Sequence, residues 1–189
     1  MDRLEFRIFG AQLAQVRSRL AGMATPGPPE RRTDVYFTPP GLRHPHQTFK
    51  LRGAAALDCK RLTDTCGPFE RWSPRGCVAL PATGAELAVF SGAAGFPALD
   101  PGRTYSADDI TEAFAAQGNR VFALRKIRRK FPLGGCEAEA TQLEIPAGVT
   151  FWTVAIEGAA RADMERVVGA LGVGARRNVN YPAWIAAQM

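Results

Sequence analysis

The chain has 189 residues, 46% of them hydrophobic, which is enough to bury one sizeable core, so we expect a single domain over residues 1–189. Lys and Arg outnumber Asp and Glu by 24 to 18, and the net charge of +6 favours partners that carry phosphate groups. The first residues include Arg3, Glu5 and Arg7, which is unlike a secretory signal peptide, and no stretch approaches the ~20 apolar residues of a membrane-spanning helix. We therefore expect a cytoplasmic protein without membrane contact.

Charged and apolar residues alternate along several short segments. The clearest are Arg3–Phe9, Phe49–Arg52, Leu57–Arg61 and Phe122–Phe131. Successive strand residues point to opposite faces, so each segment predicts a strand with charge on one face and hydrocarbon on the other. The solvated face of an ordinary antiparallel sheet also alternates, but it mixes acidic, basic and hydroxyl side chains. The excess of cations here favours a face that encloses a bound anion.

In chain order, the pattern predicts a strand over Leu4–Phe9 and a helix over Ala11–Leu20, whose apolar residues recur at helical spacing. Further strands follow, bounded by Gly, Pro or Asp: Val35–Thr38, Thr48–Arg52, Ala56–Leu62 and Phe69–Trp72. The stretch over residues 75–103 is rich in Gly, Ala and Pro, and we assign no element to it.

The second half begins with a helix signal, because Ser106 and Asp109 have the spacing of a capping box. The remaining predicted elements are strands over 121–131, 136–145 and 150–157, a helix over 161–171 and a short helix over 181–185. This order indicates an α+β protein with a mainly antiparallel sheet. Many strands and few helices favour a barrel over a doubly wound fold.

The order of the charged motifs resembles that of the triphosphate tunnel metalloenzymes, the superfamily of the CYTH proteins and the metal-dependent RNA triphosphatases of fungi and DNA viruses. The motifs are the alternating opening strand, Tyr36-Phe-Thr-Pro39, Lys50-Leu-Arg52, Asp58-x-Lys-Arg61, Arg125-Lys-x-Arg-Arg129 and a closing strand that ends in Glu157. The resemblance implies an antiparallel eight-stranded β-barrel (tunnel) with flanking helices. Its basic interior would hold a triphosphate, and glutamates would bind Mg²⁺ or Mn²⁺.

Residues of this chain that match the family motifs form the expected site. The expected substrate-binding residues are Arg7, Lys50, Arg52, Lys60, Arg125, Lys126 and Arg128. The expected catalytic residues are Glu5, Lys60 and Arg128, and the expected metal ligands are Glu5, Glu157 and Glu139. A one-residue change of register would turn Arg125 and Arg129 inward instead of Lys126 and Arg128, and the sequence leaves that register open.

The match is uneven where the family binds metal. Arg3 replaces an acid of the opening strand, and Thr153 and Ala155 stand where the closing strand has glutamates. Glu137 and Glu139 share one face of their strand, so they are either a relocated metal site or a pair of solvated carboxylates.

Two functions from different classes therefore remain. The first is a divalent-metal-dependent triphosphatase that acts on tripolyphosphate, a nucleoside triphosphate or an RNA 5′-triphosphate. The second is a catalytically degenerate tunnel barrel that binds a polyanion or a protein partner without hydrolysis. Conversion of a triphosphate to a cyclic nucleotide is singled out by no residue, and no motif indicates sequence-specific DNA binding.

Overall fold

The computed structural model describes residues 3–41, 46–145 and 148–188. The strands are β1 (Arg3–Gly10), β2 (Glu30–Thr38), β3 (Gln47–Arg52), β4 (Ala56–Cys66), β5 (Phe69–Ala79), β6 (Ala82–Thr83), β7 (Thr104–Tyr105), β8 (Arg120–Leu133), β9 (Cys136–Glu144) and β10 (Thr150–Gly158). The helices are α1 (Ala14–Met23), α2 (Gly84–Leu87), a 3₁₀ turn (Ala88–Phe90), α3 (Ala107–Ala116), α4 (Arg161–Leu171) and α5 (Tyr181–Ala186).

Eight strands close into a barrel in the order β1-β10-β9-β8-β2-β3-β4-β5. Every pairing around it is antiparallel. The α+β fold with an eight-stranded antiparallel barrel and flanking helices is therefore confirmed. An interior of this size holds packed side chains or one small ligand.

Alternation along the strands sends hydrocarbon to the outside of the barrel, where helices cover it. On β1, Phe6 and Ile8 are buried in a cluster with Leu20 of α1 and with Met164 and Val167 of α4. A second cluster joins the outer face of β3 to the 3₁₀ turn and α3 through Phe49, Leu51, Phe90, Ile110 and Phe114. These two clusters leave the intervening residues of each strand facing the interior.

The segment over residues 75–103 continues β5 to Ala79 and then folds against the second cluster. Thr83 and Glu86 form a capping box at the start of α2, in which the Thr83 side chain accepts from the Glu86 backbone N–H. Gly84 is required there, because a Cβ atom would lie 2.1 Å from the carbonyl oxygen of Asp100. No helix in the described part of the chain is long and apolar enough to cross a membrane.

The helix α5 enters the barrel. A third apolar cluster contains Tyr36 of β2, Leu124 of β8 and Leu143 of β9 together with Trp184 and Ile185 of α5. These strand residues lie two positions from Asp34, Lys126 and Thr141, so they share the interior face of their strands. The interior is thus apolar and filled by α5 at one end and charged at the other.

Candidate functional site

The charged half of the barrel interior encloses a cavity of about 220 Å³, which we call the lumen. It is lined by Arg3, Glu5, Arg7, Arg32, Tyr36, Thr48, Lys50, Arg52, Lys60, Trp72, Lys126, Arg128, Lys130, Glu137, Glu139, Glu157, Asn180, Tyr181 and Pro182. Among these described residues there are nine cations and four carboxylates. Such an excess of one sign in a partly enclosed space attracts a counter-ion.

The structure brings nearly all of the predicted site residues together in the lumen. They are Glu5, Arg7, Lys50, Arg52, Lys60, Lys126, Arg128, Glu139 and Glu157. Arg125 is the exception, because β8 pairs with β2 in a register that sets Lys126 opposite Arg32 and turns Arg125 to the outer face. The Arg125 side chain is 73% exposed and lies 3.9 Å from Glu144, so we leave it out of the site.

Arg7 is the central cation of the lumen. Its Nε donates to Glu5 Oε1 at 2.8 Å, and its Nη1 donates to Glu139 Oε1 at 2.6 Å and to Thr153 Oγ1 at 3.4 Å. Arg128 Nη1 donates to the other oxygen of Glu139 at 3.4 Å. Burial by itself would raise the pKa of Glu139, but the charges of Arg7 and Arg128 outweigh it and lower the pKa to about 2.

Glu157 differs from the other carboxylates of the lumen. It lies directly opposite Glu5 in the pairing of β1 with β10, and no ion pair holds it among the residues that the structure describes. Burial and then the neighbouring charge of Glu5 raise the pKa of Glu157. The Glu157 carboxyl therefore binds a proton more readily than an ordinary glutamate does, whereas Glu5 and Glu139 have lowered pKa values.

Two buried aspartates hold several of the lumen cations in place. Lys126 Nζ donates to Asp34 Oδ2 and to the Tyr36 hydroxyl, both at 2.8 Å. Burial lowers the pKa of Lys126 to about 7, although the charge of Asp34 opposes that effect. Asp58 accepts from Arg52 Nη2 at 2.8 Å and lies 3.5 Å from Lys50 Nζ. Asp58 belongs to the Asp58-x-Lys-Arg61 motif but was given no role from the sequence, and Asp34 was not predicted, although each lies two residues from a lumen cation on the same strand.

The first residues of α5 and the segment just before it form the inner wall of the lumen. The Tyr181 ring lies 4.4 Å from the Arg7 guanidinium carbon and 3.9 Å from Lys126 Nζ. Asn178 fixes this segment to β1, because its Oδ1 accepts from the Arg7 backbone N–H at 2.8 Å. The Asn180 Nδ2 donates to Glu70 at 3.0 Å, while its Oδ1 caps α5. The cap and the proline at 182 are visible in the sequence, but the insertion of the helix into the barrel is not.

The carboxylates present do not fit a resident Mg²⁺ or Mn²⁺ ion. Such ions take several oxygen ligands, but no group of three or more His, Cys, Asp or Glu side chains in the described part of the chain is arranged to hold a metal. Glu5 and Glu139 are bridged by Arg7 instead of facing each other across an open position. The expected set of Glu5, Glu139 and Glu157 therefore lies in one cavity without forming a metal centre.

Comparison with solved structures found similar folds over nearly the whole chain. A conserved hypothetical protein from Pyrococcus furiosus has a TM-score of 0.59 at 18% identity, covering 96% of this chain and 98% of that chain. The PH1012 protein from Pyrococcus horikoshii OT3 has a TM-score of 0.56 at 18% identity, covering 95% and 94%. A proposed adenylate cyclase from Bacillus halodurans has a TM-score of 0.55 at 9% identity, covering 95% and 96%. Comparison with protein-family models and with curated proteins found no match.

The chain thus has a closed antiparallel barrel with a basic interior, and its fold is similar to that of the two Pyrococcus proteins and of the proposed adenylate cyclase from Bacillus halodurans. At such low identities the likeness defines the fold alone.

Proposed function

We propose that the lumen binds a linear triphosphate group, which enters by its terminal phosphate. The observation that carries this proposal is the set of nine cations around one cavity of about 220 Å³. They outnumber the four lining carboxylates and the two aspartates behind them, Asp34 and Asp58. Arg and Lys donate charge-assisted hydrogen bonds to phosphate oxygens, which are stronger than bonds between neutral groups. Lys60 and Arg3 are the natural first contacts, because the described part of the chain supplies no ion pair for either.

The position of α5 supports entry from one end. Trp184 and Ile185 fill the interior beyond Tyr181, so a phosphate chain that enters from the charged mouth stops at the wall formed by Tyr181. The cavity is also smaller than the ~300–1,000 Å³ typical of pockets for drug-sized molecules. It suits a phosphate chain, while any nucleoside or RNA attached to that chain would remain at the mouth. Tripolyphosphate, nucleoside triphosphates and RNA 5′-triphosphates share the group that is bound.

The test is calorimetric titration of the protein with tripolyphosphate, with pyrophosphate and phosphate as shorter controls. Loss of one charge-assisted hydrogen bond costs roughly 1.5–3 kcal/mol, so Lys60→Ala should weaken binding about 10- to 100-fold. Arg125→Ala is the matched control, because it removes a cation from the outer face of β8. Equal affinities for the Lys60→Ala protein and the unmodified protein would contradict the proposal.

Hydrolysis of the bound triphosphate is a second candidate, and the environment of Glu157 favours it. A general base works best with a pKa near the working pH, and Glu157 has a raised pKa and lies opposite Glu5. In this scheme water attacks the terminal phosphorus, Glu157 accepts its proton, and the bond to the bridging oxygen breaks, so that tripolyphosphate yields phosphate and pyrophosphate. The charge of Glu5 keeps the pKa of Glu157 raised. Lys60 and Arg128 would neutralise charge that develops on the phosphate.

Release of phosphate from tripolyphosphate, measured with Mg²⁺, with Mn²⁺ and with EDTA, separates hydrolysis from binding alone. If the protein is a hydrolase, Glu157→Gln should abolish turnover and leave calorimetric binding within a few-fold of the original. Saturable binding with no release under any of the three conditions would leave the polyanion-binding function and refute the hydrolase.

A further inference from the structure

The best-held cation of the lumen is already neutralised by the carboxylates that a metal would need. Arg7 lies between Glu5 and Glu139, with contacts of 2.8 Å and 2.6 Å, and its side chain is only 4% exposed. The Tyr181 ring covers one face of the guanidinium, and Thr153 accepts a further hydrogen bond. An anion-binding role alone does not explain why the most buried arginine of the cavity donates to two carboxylates.

The geometry of Arg7 is incompatible with a divalent ion between the same carboxylates. Mg²⁺ approaches its oxygen ligands to about 2.0–2.1 Å, and the guanidinium nitrogens occupy the space next to those oxygens. The guanidinium has little freedom to move away, because its ring contact and three side-chain partners come from different strands and from α5. Arg3 lies two residues before Glu5 on the same face of β1 and lines the same cavity, so it repels a second cation.

We propose that Arg7, assisted by Arg3, takes the place of a divalent metal ion, so that the lumen binds the metal-free form of a triphosphate. This inference rests on the proposed triphosphate binding and narrows it to one ionic form of the ligand. Mg²⁺ bound to a triphosphate neutralises the same oxygens that Lys60 and Arg128 would contact. The complex with Mg²⁺ therefore offers less charge to a cavity that already carries its own fixed cations.

The first test uses the unmodified protein and needs no substitution. Tripolyphosphate is titrated into the protein in EDTA and again with increasing Mg²⁺, and the affinity is compared with the concentration of metal-free tripolyphosphate. We expect the tightest binding in EDTA and at least a tenfold loss when Mg²⁺ saturates the ligand. Binding that requires Mg²⁺, or that tightens with it, would overturn the inference while leaving the triphosphate function intact. Absence of binding under both conditions would refute the proposed function itself.

The second test removes the guanidinium. Arg7→Gln leaves Glu5 without its ion pair and leaves Glu139 with Arg128 as its ion-pair partner. This variant should therefore bind Mn²⁺ in the absence of any phosphate, measured as a rise in melting temperature and as loss of the free Mn²⁺ spin-resonance signal. Arg125→Gln on the outer face is the matched control, and like the unmodified protein it should show neither effect. A folded Arg7→Gln protein that does not bind Mn²⁺ by either measurement would overturn the inference. If this variant does not fold, the Mg²⁺ titration of the unmodified protein decides alone.

Discussion

Glu139→Gln should make the protein less stable and its lumen a better anion site. Glu139 is 8% exposed and has a pKa of about 2 instead of its ordinary 4.5, because Arg7 and Arg128 outweigh the effect of burial. At ~1.4 kcal/mol per pKa unit this difference corresponds to ~3 kcal/mol of stability at neutral pH. Breaking a buried ion pair typically costs a similar ~3–5 kcal/mol.

The pH dependence of that loss follows from the direction of the shift. The pKa of Glu139 is lowered by folding, so its contribution is complete above pH ~5 and is lost as the pH falls toward about 2. Urea unfolding of the original protein and of Glu139→Gln should therefore differ by ~3 kcal/mol at pH 7 and by less than half of that at pH 3. Glu144→Gln on the same strand is the control, because Glu144 is 50% exposed and should change stability by no more than ~0.5 kcal/mol.

Ligand binding should change in the opposite direction. Without Glu139 the Arg7 Nη1 group can donate to phosphate, so Glu139→Gln should tighten tripolyphosphate binding by about tenfold or more. A stability difference that stays the same at pH 7 and pH 3 would refute the assignment of Glu139 as an ionised partner of Arg7. Weaker tripolyphosphate binding would refute the view that the carboxylate competes with the ligand.

Three further predictions test other parts of the structure. Burial lowers the pKa of Lys126 to about 7, so its charge is lost as the pH rises through that value. Calorimetry should therefore show weaker tripolyphosphate binding at pH 9 than at pH 6, and a smaller change for Lys126→Arg. An equal change of affinity with pH in both proteins would contradict a binding role for the Lys126 charge. Trp184→Ala should lower the free energy of unfolding by ~3–5 kcal/mol in urea, since it empties the apolar end of the barrel, and a loss below ~1 kcal/mol would disprove the insertion of α5. Gly84→Ala should lower the free energy of unfolding by ~1–3 kcal/mol in thermal unfolding, because its Cβ would meet the Asp100 carbonyl. Gly22→Ala has open space around its Cβ and should not destabilise the protein. Equal melting temperatures for the two variants would refute the close approach of Gly84 to Asp100.

The eight barrel strands and most of the lumen residues could be predicted from the sequence because alternation along a strand fixes which side chains share a face. For β1, the alternation of Glu5 and Arg7 with Phe6 and Ile8 is sufficient to separate the interior from the outer face. For β8, several adjacent cations satisfy either register, and only the pairing with β2 decides between Arg125 and Lys126. That choice depends on a partner strand far away in the chain, which local periodicity does not specify.

The position of α5 and the ion pairs of the lumen could not be predicted, because both depend on tertiary contacts. The apolar residues of α5 predict a buried face, but they do not indicate whether it packs on the outside of the barrel or within it. Asp34 and Asp58 look like ordinary polar strand residues, and their role as buried counter-ions follows from which cations the barrel closure brings to them. The pairing of Arg7 with Glu139, residues 132 apart in the chain, likewise arises only when β1, β10 and β9 are adjacent.

The entry of α5 into the barrel has a kinetic consequence. With Trp184 and Ile185 packed at one end, a ligand of the proposed kind would leave by the mouth through which it entered. One ligand must then dissociate before the next can enter the lumen. Residence time should therefore lengthen with the number of phosphates inside, and a bulky group attached to the outer phosphate should slow arrival more than departure.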